Sequence, residues 1–151
     1  MKNMSGELKI TSLNVNGLNN PKKRKRVLRK MKTVGGDVMF LQETHLSKEE
    51  HKKLEKLVNA QVHSSSFHSA RRGVAKLIKN NISFHFEKTK MDKDGRYVLV
   101  KGRIDNAEIT LLNVYNFYLL FCRWHCQMIE LFSPQDGSTV LHTNTASLTA
   151  E

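Results

Sequence analysis

Three short polar stretches each follow an apolar run and hold residue types that could do chemistry. They are "NVNG" with Asn14 and Asn16, "QETH" with Gln42, Glu43 and His45, and "NVY" with Asn113 and Tyr115. A carboxylate set among carboxamides suits a hard cation such as Mg²⁺, which takes oxygen ligands and keeps several waters. The same side chains also make turns and hydrogen bonds at strand ends, and spacing alone favours that plainer role. Chemistry would need the three stretches to converge, so the elements that carry them come next.

"LKITSLNVNG" (8–17) alternates in polarity and breaks at Asn-Gly, the pattern of a strand running into a loop. Asn20-Pro21 supplies a cap and a first-turn proline for a helix over 21–34. That helix places Val27, Leu28 and Met31 on one face and surrounds them with Lys22, Lys23, Arg24, Lys25, Arg26, Arg29 and Lys30. "VGGD" ends it, and "DVMFLQ" (37–42) reads as a buried strand. Ser47 and Glu50 form a capping box for a second helix over 47–59, with Leu54, Leu57 and Val58 facing inward. Beyond it the period changes: "QVHSSSF", "GVAKLIK", "ISFHFEK", "YVLVKGRI" and "EITLLNVY" are strand-like and separated by turn signals. This order predicts an α+β fold, a sheet covered by helices on one face, with the polar stretches leaving strands at one rim.

The charge points to a partner class. The 151-residue chain carries a net +11, yet residues 117–151 hold only Arg123 against Glu130, Asp136 and Glu151, so residues 1–116 carry +13. A surplus of that size favours polyanions, nucleic acid before an anionic membrane surface, while a solvated basic surface is the plainer reading. Composition thus changes near residue 116, and past residue 132 the chain turns Ser/Thr-rich without an apolar period, which predicts a loosely attached tail. The apolar run "FYLLFC" is six residues, far short of the roughly 20 a spanning helix needs, so no membrane partner is expected. The N-terminus has no apolar signal core, which argues for a nuclear or cytoplasmic protein and against secretion. Cys122, His125 and Cys126 offer three zinc ligands with only His142 as a fourth, so no zinc is expected. "PKKRKRVLRK" (21–30) reads equally as a short basic nuclear-import signal and as the solvated face of the first helix.

In this order and at these separations, "ITSLNVNGLNNPKKRKRVL", "VMFLQETHLSKEE", "RRGVA", "GRYVLVKGRI" and "ITLLNVY" resemble the endonuclease/exonuclease/phosphatase superfamily. Within it they are most similar to the endonuclease domain of LINE-type retrotransposon reverse-transcriptase polyproteins. The resemblance covers about residues 7–116, and it leaves 117–151 as an unrelated tail. It implies the first half of a two-sheet α/β sandwich of the DNase-I-like type, with the second half missing. It also implies Mg²⁺-dependent phosphodiester hydrolysis on DNA. Glu43 matches the metal-binding glutamate, Asn14 the asparagine beside the metal, and Tyr115 the tyrosine near the scissile phosphate. Arg71 and Arg72, with Lys23 and Arg24 of the basic helix, would meet the DNA backbone.

The departures are as informative. After "NVY" the family continues with a proline- and asparagine-bearing loop, and here "NFYLLFCRWHCQ" follows. Neither a "GDFN"-type nor an "SDH"-type motif is found, and Asp136-Gly137 has no strand before it. A lone Glu with one Asn is a poor Mg²⁺ site, and no residue is left to orient or deprotonate water. The expectation is a truncated, catalytically inactive endonuclease-like chain; the alternative is a non-catalytic remnant that binds nucleic acid or a partner. A single sheet would leave its inner face open to such a partner. Lys76 stands where the resemblance implies an apolar residue, tolerable if it faces solvent.

Overall fold

A computed structural model describes residues 8–67, 71–115 and 139–142. Their elements run β1 (Ile10–Asn14), α1 (Pro21–Val34), β2 (Val38–Gln42), α2 (Lys48–Val58), β3 (Ala60–Ser65), β4 (Val74–Lys79), β5 (Phe84–Met91), β6 (Tyr97–Ile104), β7 (Ala107–Val114) and β8 (Thr139–His142). Local chemistry accounts for the helix ends. The Asn20 side chain accepts from the amides of Lys22 and Lys23, Pro21 takes the first turn, and Gly35 closes α1 at φ +75°. Ser47 accepts from the amide of Glu50 at 3.2 Å, while the Glu50 carboxylate faces Arg24 of α1 at 3.5 Å.

Two four-stranded sheets form, in the orders β1-β2-β4-β3 and β5-β6-β7-β8. β1 and β2 are parallel, β4 runs antiparallel to β2 and β3, and β5, β6 and β7 form an antiparallel meander. β8 adds to β7 in parallel, so four residues of the tail region lie on an edge of the second sheet.

Alternation along the strands builds two cores. Leu13, Met39, Leu41, Ala75 and Leu77 point to one side of the first sheet and meet Val27, Leu28 and Met31 of α1 and Leu54 and Val58 of α2. Val38, Phe40, Val74 and Ile78 point to the other side and meet Phe84, Val98, Val100, Ile104, Ile109 and Leu111 of the second sheet. The arrangement is three layers, helices on sheet on sheet, with β2 buried along its whole length.

Three expectations change here. The inner face of the first sheet is not left open to a partner, because β5, β6 and β7 cover it. Strand periodicity tells which face a residue takes but not which sheet a strand joins, and the short β5–β6 and β6–β7 turns let the last three long strands pair among themselves. Leu57 is 51% exposed instead of facing inward, and His51 takes the buried stripe of α2 with Leu54 and Val58. Lys76 lies fully buried between the sheets and not in solvent.

Candidate active site

The strand registers bring the three polar stretches to one end of the sandwich. Parallel β1 and β2 finish side by side, with Asn14 opposite Gln42. β4 runs the other way, so its start, with Arg72 and Gly73 before it, meets the same end, as does Ser65 at the finish of β3. In the second sheet Val114 lies opposite Tyr97, which puts Tyr115 and the β5–β6 turn at that end too.

Backbone bonds knit these loops into one rim. The amides of Val15, Gly17 and Leu18 donate to the carbonyls of Gln42, Glu43 and Thr44 at 3.0, 2.7 and 2.8 Å. Thr44 donates to Gly73 at 3.0 Å and His45 to Arg72 at 2.8 Å, Gly73 to Gly95 at 3.0 Å, and Tyr115 to Arg96 at 2.7 Å. Four non-glycine rim residues hold positive φ: Asn16 at 44°, Glu43 at 53°, His45 at 52° and Arg72 at 54°. Such angles cost energy for side-chain-bearing residues and gather where a binding or catalytic geometry is imposed. Gly73 is at φ +92°, and a Cβ there would lie 2.5 Å from the Thr44 hydroxyl.

Glu43 is the centre of the cluster. Its Oε1 accepts from Asn14 Nδ2 at 3.0 Å, and its Oε2 lies 3.8 Å from His45 Nε2. Burial, then the Glu43 charge and hydrogen bonding to it, raise the Tyr115 phenol above its usual pKa, and Arg72 opposes them. Asn14 Oδ1 accepts from the Asn16 amide at 3.1 Å, which fixes the carboxamide with its nitrogen toward Glu43. Among the described residues no group of three or more His, Cys, Asp or Glu side chains gathers. The donor set is therefore the Glu43 carboxylate alone, steadied by an Asn14 carboxamide that turns its nitrogen to it and its oxygen to the Asn16 amide. It fits a hard cation held loosely, with water and phosphate oxygens completing the shell.

Asn14, Glu43 and Tyr115 thus come together, with Arg72 close enough to act on Tyr115. Arg71 is exposed at the start of the same loop. Lys23 donates to the Asn16 carbonyl at 2.7 Å at the rim. Arg24 donates through Nε to the Leu18 carbonyl at 2.9 Å and pairs with Glu50, so its charge clamps α1 to α2. Gln42 and Asn113, grouped with the rim by sequence, are instead sealed between the sheets. Gln42 Nε2 donates to Asn113 Oδ1 at 2.7 Å, and Asn113 Nδ2 donates to the carbonyls of Leu41 and Ala75 at 3.0 and 2.9 Å. The basic stretch 21–30 is helical, with Val27 and Leu28 buried. Cys122, His125 and Cys126 lie outside the described residues.

Sequence reasoning missed His51. Its Nε2 is 2.7 Å from the Thr44 hydroxyl and its Nδ1 2.8 Å from that of Ser66, so α2 supports the residue between Glu43 and His45. The signal lay in the spacing of His51 three residues before Leu54. Burial pushes its pKa down to about 4. A base whose folded pKa lies below its unfolded value of about 6.5 stabilises less as pH falls through that interval, because the unfolded chain binds the proton first. The expected loss from this ring is roughly 3 kcal/mol between neutral pH and pH about 4. Denaturant midpoints measured at several pH values should show a shallower acid limb in His51→Gln, and a limb unchanged by that substitution would refute the assignment.

A family model described as the endonuclease/exonuclease/phosphatase family matches residues 11–144. The chain belongs to the endonuclease/exonuclease/phosphatase family. The family match runs past residue 116, where the composition changes, and takes in β8. Solved structures agree on the fold. Truncated TDP2 from Caenorhabditis elegans superposes with a TM-score of 0.66 at 20% identity, over 88% of this chain and 59% of that one. TDP2 from D. rerio, complexed with a single-strand DNA product, gives 0.63 at 21% identity over 89% and 58%. The AP endonuclease LMAP from Leishmania major gives 0.56 at 20% identity over 82% and 45%. The chain therefore spans about half the length of these structures. Among the described residues no helix is long and apolar enough to cross a membrane.

Proposed function

We propose that this is an endonuclease-like domain of LINE-type retrotransposon origin that holds a DNA phosphodiester at the Asn14–Glu43–Tyr115 rim and, over these 151 residues, hydrolyses little or none of it. The observation that carries the reading is the Asn14–Glu43 hydrogen bond at 3.0 Å, with Tyr115 close enough to feel the Glu43 charge, at the end where both sheets meet. Glu43, with Asn14 beside it, would hold Mg²⁺. When bound, that ion neutralises phosphate charge and stabilises the leaving oxygen. Asn14 orients the carboxylate, Tyr115 donates its hydroxyl toward the same point, and Arg72 adds positive charge where a phosphate would sit. The +13 of residues 1–116 supports attraction to the DNA backbone, an attraction that weakens with salt. A D. rerio relative in fold was solved with a single-strand DNA product, in keeping with a nucleic-acid ligand. Weak turnover follows from the sequence, which carries no "GDFN"- or "SDH"-type group to orient or deprotonate the attacking water.

The test is supercoiled-plasmid nicking with Mg²⁺, beside a gel shift at two salt concentrations. The expected result is salt-sensitive binding with no nicking above that of Glu43→Ala. Nicking by the wild-type chain that disappears in Glu43→Ala would overturn the inactivity; absence of any DNA binding at low salt would overturn the DNA ligand.

A further inference from the structure

We propose that Phe67 and Arg72 form a stacking platform for an unpaired nucleobase, at the edge of the rim beside Tyr115. The proposal rests on the nucleic-acid reading above and adds to it a base-binding subsite.

Phe67 stands just past the end of β3, where the registers place it at the rim, and it is 47% exposed. Among the described residues the two buried core clusters do not include it. The Arg72 guanidinium carbon lies 4.6 Å from the centroid of that ring. Arg72 is itself fixed: its carbonyl accepts from His45, its φ is +54°, and its charge reaches Tyr115. The Phe67 backbone is held just as closely. A Cβ at Gly95, which sits at φ +66°, would fall 2.9 Å from the Phe67 amide nitrogen and 3.0 Å from its Cβ. Only a glycine lets the β5–β6 turn approach the residue this tightly.

A phenyl ring under a guanidinium, the one backed by Gly95 and the other anchored by a backbone bond, is a flat cationic π surface. An exposed pair of this kind contributes little to the fold. A nucleobase stacked on it would bind about 10-fold tighter than a strand without one, whatever its identity, because every base has a π face. The guanidinium meanwhile keeps its charge for the adjoining phosphate. A base within a duplex is already stacked on its neighbours, so the platform suits a single-stranded or splayed nucleotide. An acidic peptide would find the charge but no use for the ring.

Fluorescence anisotropy at low salt tests this with a labelled single-stranded DNA of about 12 nucleotides and an abasic oligomer of the same length. Wild-type protein should prefer the base-bearing strand. Phe67→Ala should weaken that strand about 10-fold and leave the abasic one unchanged, while Phe67→Trp, which keeps a ring, should retain the preference. A 2-aminopurine base in the strand should be quenched by wild type and not by Phe67→Ala. Equal wild-type affinity for the two oligomers, or an equal loss on both in Phe67→Ala, would sink the platform and leave the nucleic-acid reading standing. Binding of neither oligomer by wild type would sink both.

Discussion

Lys76→Met is expected to stabilise the protein by roughly 2 kcal/mol, an unusual sign for a substitution at a fully buried position. Lys76 projects from β4 into the layer between the sheets, with Phe40 and His63 opposite it on the neighbouring strands and the carbonyls of Val98 and Leu111 facing it from the second sheet. Its Nζ donates to the carbonyls of Val98 and Leu111 and lies 5.2 Å from the Phe40 ring centroid. Two carbonyls and a ring satisfy a neutral amine, but they do not offset the desolvation of an ammonium. Burial therefore drives its pKa well below the ordinary lysine value. The unfolded chain then binds a proton that the folded chain gives up, so stability rises with pH from the depressed folded value up to the unfolded one near 10.4. Methionine keeps the volume and removes the titration. At pH 7 a thermal melt should show Tm higher by about 4–8 °C, and between pH 7 and 10 the wild-type protein should close much of the gap. A variant melting at or below wild type, with the same pH slope, would show that water reaches the amine.

Asn113→Leu should do the opposite, costing about 1–3 kcal/mol. Asn113 is fully buried, and its carboxamide joins β7 to β2 and β4 through three bonds, from Gln42 and to the carbonyls of Leu41 and Ala75. Leucine of similar size leaves a Gln42 N–H without its acceptor in a dry layer and takes a further donor from two strand carbonyls, and the orphaned amide alone is worth roughly 1–3 kcal/mol in lost stability. Removing Gln42 as well, in Gln42→Leu/Asn113→Leu, deletes one orphan and should return part of the loss, so the two substitutions are non-additive. Urea midpoints for the wild type, both single variants and the double variant measure this. A single-variant cost under 1 kcal/mol, or strict additivity, would mean that water replaces the bridge. Tyr115 lies two residues beyond, so the same bridge also sets where the rim tyrosine stands.

Local chemistry made most of the elements legible. Asn20-Pro21, Ser47 and the Val27/Leu28/Met31 spacing mark α1 and the start of α2, because caps and amphipathic stripes act within a few residues. Leu57 escaped for a related reason: at the margin of the stripe, its burial depends on how far α2 is rolled, which the His51 bonds to Thr44 and Ser66 decide. Glu43, Asn14 and Tyr115 were legible as members of a motif, and their contacts were not.

The sequence by itself determined where strands and helices begin, which side chains alternate inward, that the first 116 residues are strongly basic, and which three polar stretches end strands. Those properties belong to neighbours along the chain. Only the tertiary structure decided that the later strands form a second sheet over the first, that Lys76 is sealed in rather than solvated, and that Gln42 and Asn113 brace the interior while Asn14, Glu43 and Tyr115 meet. Each of these depends on pairing between residues some 30 to 70 positions apart. A side chain's face is set by its own strand; its partners are set by which strand lies opposite, and that is a property of the whole packed sandwich.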